Sequence, residues 1–181
     1  MKHMAVVLSS VLLAALVAVG VAALEPERAD AATSVRSCIG GTVDLKAIEK
    51  RMLDLHNRAR ADRGLKRLCI HPRLQRAARA HSRDMIQRDY FSHNTKGRNE
   101  SACERIRRFG YKYAACGENI AWGSGKKGNP GPTFRYWMNS KSHRSNILDK
   151  RFREAGVGTH RGNFQGYDNV AMWTVSLGRR R

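Results

Sequence analysis

The stretch "NVAMWTVSLG", residues 169–178, constrains the chain most. In an extended strand, alternate side chains point to opposite faces. Ala171, Trp173, Val175 and Leu177 therefore share one face, and Val170 and Met172 the other. A strand apolar on both faces belongs in the middle of a covered sheet. Upstream, "AGVGTH" supplies a second strand, and the turn-prone "RGNFQGYD" between them makes the two an antiparallel pair.

The covering elements precede these strands. Leu45, Ile48, Met52, Leu55 and Ala59 recur at three- and four-residue steps, which predicts one face of a helix ending near Gly64. A second helix is expected from Pro72, a residue suited to a first helical turn. Its inward stripe is Leu74, Ala77, Ala78, His81 and Met85, up to about Tyr90. His81 on that apolar face reads as a core or boundary histidine rather than a ligand. Cys103, Ile106 and Phe109 mark a short third helix stopped by Gly110, and a fourth carries Phe134 and Trp137 from near Pro132. Between them, "ENIAW" reads as a short strand and "GSGKKGNPGP" as a loop. Helices first and strands later, without regular alternation, predict an α+β fold with helices on a small antiparallel sheet. The length, 181 residues, suits one domain, and a monomer is expected.

Residues 5–24 are uncharged and almost wholly apolar, with Lys2 before them, as in a secretory signal. Small residues offer cleavage after "VAA" or "ADA"; the second is favoured, giving a signal peptide over 1–31. An uncleaved N-terminal anchor is the alternative, because about 20 apolar residues can cross a bilayer. The protein is thus expected to be secreted or tethered. A short leader over 32–43, held through Cys38, is expected before a folded domain over 44–178, with a basic tail at 179–181.

The 34 Lys and Arg outnumber the 15 Asp and Glu, for a net charge of +19. Such a field attracts anionic envelope polymers and lipid heads, and nucleic acid nonspecifically, although a solvated basic surface without a dedicated partner accounts for it equally well. Four cysteines in an exported chain predict two disulfides, and no C-x-x-C pair is present. Of the three connectivities, Cys38–Cys69 and Cys103–Cys116 are preferred; each closes a modest loop worth about 3 kcal/mol in the chain-entropy picture. A catalytic cysteine is not expected.

The polar candidates are His93 in "YFSHN", Glu118 in "CGENIAWG", and His143 with Asn146 in "SHRSNIL". Two histidines and a glutamate form a donor set found in hydrolytic zinc sites. Their wide spacing lacks the local pairing of a zinc motif such as H-E-x-x-H. Glu118 is equally suited to hydrogen-bond its own glycine-rich turn, and His143 to cap the helix containing Ile147 and Leu148.

"LDLHNRARADRGL", "YFSHN", "GENIAWG", "WMNSKSHRSNILDKRFREAGVG" and "MWTVSLG" occur in an order and spacing that resembles the bacterial, SCP-like extracellular branch of the CAP superfamily. That superfamily is named for cysteine-rich secretory proteins, antigen 5 and plant pathogenesis-related proteins. The resemblance covers roughly residues 45–178. It implies a three-layer α-β-α sandwich, secretion and a disulfide-supported core.

It also implies a cleft lined by two histidines and two glutamates. His93, Glu118 and His143 match three of those places. In the fourth, three residues after Trp137, this chain has Ser140, so a full acid/base pair is not carried over. By resemblance, the cleft binds Zn or another divalent cation through His93 and His143, with Glu118 as orienter, or takes up a lipid or anionic glycan, without a defined reaction. One alternative is a secreted metal-dependent hydrolase with Glu118 as the candidate catalytic group: a protease, an esterase, or a basic nuclease using His143 and Asn146. Another is an envelope-binding protein that acts through its cationic surface.

Overall fold

The computed structural model describes residues 32–181; the expected signal, 1–31, lies outside the described residues. A hairpin of β1 (Ala32–Arg36) and β2 (Thr42–Lys46) leads into α1 (Ala47–Ala61). The two-residue β3 (Cys69–Ile70) is followed by α2 (Pro72–Gln87), α3 (Ala102–Arg108) and β4 (Tyr113–Ser124). A 3-10 turn at Gly125–Gly128 connects to α4 (Pro130–Asn139) and α5 (Lys141–Leu148), and β5 (Glu154–Phe164) and β6 (Tyr167–Arg180) complete the chain.

The main sheet has the order β3-β5-β6-β4. β6 is internal, as its two apolar faces require, and runs antiparallel to both β5 and β4. The sheet is mixed rather than wholly antiparallel, because β3 pairs parallel with β5. On one face Trp173, Val175 and Leu177 pack with Met52, Trp137 and Ile147 from α1, α4 and α5. On the other, Val170 and Met172 meet Met85 and Ile86 of α2. The result is the α+β, three-layer arrangement expected.

α2 lies close to β5 because Gly156 and Gly158 carry no side chain there. A Cβ on Gly156 would stand 2.1 Å from the Leu74 carbonyl carbon, and one on Gly158 2.3 Å from that of Ala78. Ser82 seals the contact: its hydroxyl donates to Gly158 O at 3.1 Å and lies 2.9 Å from the Thr174 hydroxyl, which can donate to it in turn.

Several expectations change in detail. Leu45 is a buried strand residue of β2, not part of α1, which starts at Ala47. The leader at 32–43, expected to be held through Cys38, is also part of a hairpin that reaches into the expected domain: β1 pairs with β2 from Ala32↔Lys46 to Arg36↔Thr42. Arg179 and Arg180 continue β6 rather than forming a tail, and Arg180 Nε donates to the buried Glu154 carboxylate at 2.7 Å. "ENIAW" is the middle of a strand of 12 residues, whose backbone is paired with β6 over most of its length. Both preferred disulfides, Cys38–Cys69 and Cys103–Cys116, are formed.

Candidate functional site

β4 is an edge strand, and the candidate site straddles it. Glu118 and Ile120, two residues apart, share the face turned to α2, while Asn119 and Ala121 point to the other. His93 comes from the loop after α2, and His143 from α5. His93, Ile120 and His143 line one cavity of about 320 Å³ together with Phe91, Ser92, Asn94 and Tyr136.

α5 is held in place from both ends. Asn119 donates to the His143 carbonyl at 3.0 Å, and Asn146 donates to Glu118 O at 3.1 Å and to Asn119 Oδ1 at 2.9 Å. At the far end the buried Arg60 donates to the carbonyls of Ile147 at 2.8 Å and Asp149 at 3.0 Å, groups a helix C-terminus leaves without internal partners. Asn146 is thereby a structural tie, and its amide is already engaged.

Glu118 is the fixed point of the site. Its side chain is 2% exposed; Oε1 lies 2.9 Å from His93 Nδ1, and Oε2 accepts from Nη2 of Arg105, itself 1% exposed. Burial alone would push the Glu118 carboxyl up. The His93 hydrogen bond and the Arg105 charge outweigh that, and the group lies below the ordinary glutamate value. An ionised carboxylate only accepts, so Nδ1 of His93 is the donor, and Nε2 is the ring nitrogen left to the cleft. Arg105 Nη1 also donates to His93 O at 3.1 Å and Thr95 Oγ1 at 3.2 Å, fixing the loop that presents His93.

His143 lies with its Nδ1 buried and without a hydrogen-bond partner, its ring 5.8 Å from that of Tyr136 and 6.4 Å from that of Trp137. Burial, and then the nearby His93, push its pKa down, which favours the neutral, ligating form. His93, Glu118 and His143 do not bring three donor atoms within 4.8 Å of one another. Glu118 is therefore not placed as a third ligand beside the two histidines, and acts on His93 through the Nδ1 contact. Ser140 sits at the junction of α4 and α5, its hydroxyl 3.1 Å from Ser142 Oγ, and is not among the residues lining the cavity.

His81, read from sequence as a core histidine, is buried with Nε2 2.9 Å from Ser92 O. The residues missed from sequence are Arg105 and the walls Phe91, Ile120 and Tyr136. Arg105 is one of several arginines in α3; its one distinguishing signal is the disulfide at Cys103, two residues away, which ties α3 to the strand of Glu118.

Comparison with known proteins identifies the family. The model of the cysteine-rich secretory protein family, CAP, matches residues 53–177. The chain belongs to the CAP family. YkwD of Bacillus subtilis is 38% identical over 132 residues, which cover 73% of this chain and 48% of that protein. The membrane protein YlbC of the same organism is 34% identical over 114 residues, 62% of this chain and 32% of its own length. The chain thus spans half or less of the curated relatives it matches. Among solved structures, an extracellular SCP-domain protein from Bacillus anthracis is 28% identical with a TM-score of 0.61, over 72% of this chain and 40% of that one. An outer surface protein from Borrelia burgdorferi shares the fold, with a TM-score of 0.63 at 20% identity over 77% and 97% of the two chains.

Proposed function

We propose that the protein is a secreted CAP-domain binding module whose cleft takes up a divalent cation through His93 and His143, or a small lipid or anionic glycan, rather than an enzyme of defined reaction. The observation that carries this reading is that both carboxylate oxygens of Glu118 are already engaged, by His93 and Arg105. A general base needs a lone pair within reach of the proton it takes; the Glu118 side chain is 2% exposed and is not among the residues lining the cavity, and Ser140 supplies no second carboxylate.

The same contacts suit binding. Glu118 holds the His93 ring by Nδ1, so that Nε2 faces outward as a ligand, the relation that carboxylates commonly have to metal-bound histidines. Burial keeps His143 neutral at lower pH than an exposed histidine. A bound Zn²⁺ would supply Lewis acidity and an attachment point for an oxygen-bearing ligand. Phe91 and Tyr136, 42% and 60% exposed, would pack against the ring or chain of that ligand. Equilibrium dialysis at about pH 7.5 tests the site: zinc uptake is expected to disappear in a His93→Ala/His143→Ala variant, and equal uptake by both proteins would overturn it.

A second reading rests on the net charge of +19. Under it, the basic surface holds the protein on anionic envelope polymers or lipids. Such retention is expected to fall steeply with salt, because screening acts over about 10 Å at 0.1 M. Retention on isolated envelopes that survives about 1 M salt would argue against it.

A further inference from the structure

A second cavity, of about 250 Å³, shares no lining residue with the histidine cleft. Four arginines line it, Arg88, Arg98, Arg105 and Arg108, against one carboxylate, Asp84. The local ion pairs do not cancel this charge. Arg105 is paired with Glu118, Arg108 with Glu100, and Arg88 stands 3.5 Å from Asp84, which also accepts from the Tyr90 hydroxyl. Arg98 makes no side-chain hydrogen bond and no ion pair among the described residues.

The rim is held before any ligand arrives. Arg88 Nη1 donates to Lys96 O and Lys96 Nζ to Arg88 O, joining the end of α2 to the loop that carries Arg98. Thr95 and Glu100 close the base of that loop through Thr95 N to Glu100 O at 3.0 Å and Thr95 Oγ1 to Glu100 Oε2 at 2.8 Å. Among the residues lining the cavity, one buried donor has no partner, Arg105 Nε; His81 donates through Nε2 to Ser92 O, so its unpartnered Nδ1 is an acceptor and adds nothing for an anion. A concave surface with an uncancelled guanidinium, further guanidiniums beside it and one unpartnered buried donor is suited to an oxyanion, whose oxygens match the planar donor fork of arginine.

We propose that this cavity is a binding site for a phosphate-class oxyanion, either the free ion or a phosphate monoester group, with Arg98 and Arg88 as its principal contacts and Arg108 at its edge. The volume of about 250 Å³ accommodates such a group. Arg105 cannot be the test residue, because it also holds Glu118 in the histidine cleft. Arg88 and Arg98 are exposed and lie outside the cleft lining, so their removal leaves the Arg105–Glu118 pair in place, and unchanged zinc uptake by the variant checks that the His93 loop is undisturbed.

The experiment is calorimetric titration of the full chain with inorganic phosphate, at constant ionic strength in a chloride buffer. Saturable binding of one phosphate is expected, with Kd raised at least about ten-fold in an Arg88→Ala/Arg98→Ala variant that keeps the wild-type thermal transition. Lys126→Ala/Lys127→Ala removes the same charge from the exposed turn at Gly125–Gly128, and is expected to change Kd less than about two-fold. His93→Ala/His143→Ala is likewise expected to leave phosphate binding intact. Comparison of phosphatidic acid with phosphatidylcholine vesicles separates the two sources: arginine-dependent binding to the first alone assigns a lipid headgroup, and phosphate binding without vesicle binding assigns the free ion. Equal weakening by the arginine and lysine pairs, loss in the histidine variant, or no saturable binding would each overturn the proposal.

Discussion

Arg105 and Glu118 form an ion pair from which water is almost wholly excluded, their side chains 1% and 2% exposed. Truncating one partner of a buried pair leaves the other charge uncompensated, at a cost of about 3–5 kcal/mol. Arg105→Ala is therefore expected to lower the unfolding free energy by about that amount in urea titrations. Arg105→Lys, which keeps a charge but not the three-way donor pattern, is expected to recover part of it. An Arg105→Ala protein as stable as wild type would mean that Glu118 takes up a proton or water instead.

Two histidines outside the cleft make stability depend on pH. Burial pushes both His56 and His81 down to about 4 from an ordinary value of 6.5. Between these values the unfolded chain binds protons that the folded chain does not, so stability is fully present above about 6.5 and is lost as pH falls toward about 4. The effect is on the order of 3 kcal/mol per histidine. Denaturant midpoints measured from about pH 7 to pH 4 are expected to fall steadily, and less so in a His56→Gln/His81→Gln variant. A flat profile for wild type would contradict the assignment.

Gly156→Ala is expected to destabilise the fold by about 3 kcal/mol, at the upper end for overpacking, because the new methyl meets helix backbone rather than a movable side chain. The response should be a displaced α2, visible as faster hydrogen exchange along that helix. Unchanged exchange and stability would show that α2 does not rest on β5 as described.

The Cys103–Cys116 bridge spans 13 residues and is expected to contribute about 3 kcal/mol. Because it ties α3 to β4, the double variant Cys103→Ser/Cys116→Ser is also expected to bind zinc more weakly, through a less firmly held Arg105 and Glu118. If stability falls while zinc affinity is untouched, the bridge supports the fold without setting the site.

Much of the fold was legible in the chain. The inward stripe of α2 was readable because Leu74, Ala77, Ala78, His81 and Met85 follow the helical period closely, and all five are buried. Leu45 was misassigned because it falls in register with that period by coincidence, two residues before the helix begins at Ala47. The hairpin of β1 and β2 left little mark: its strands are five residues each and largely exposed, and the one apolar alternation, Val43 and Leu45 in β2, is too short to stand out. In the site, the ordered motifs located His93, Glu118 and His143, whereas Phe91 and Tyr136 had no pattern that separated them from other surface aromatics.

By itself the sequence determined the layers. An internal strand apolar on both faces requires cover on each side, and amphipathic helices supply it, since burying apolar surface is the dominant drive to fold. Only the tertiary structure decided what Glu118 is. Its role depends on Arg105, 13 residues away, and His93, 25 residues away, arriving at its two oxygens. No local pattern encodes that meeting, because a hydrogen bond depends on distance and direction in space, and the chain between those residues carries no period that sets either.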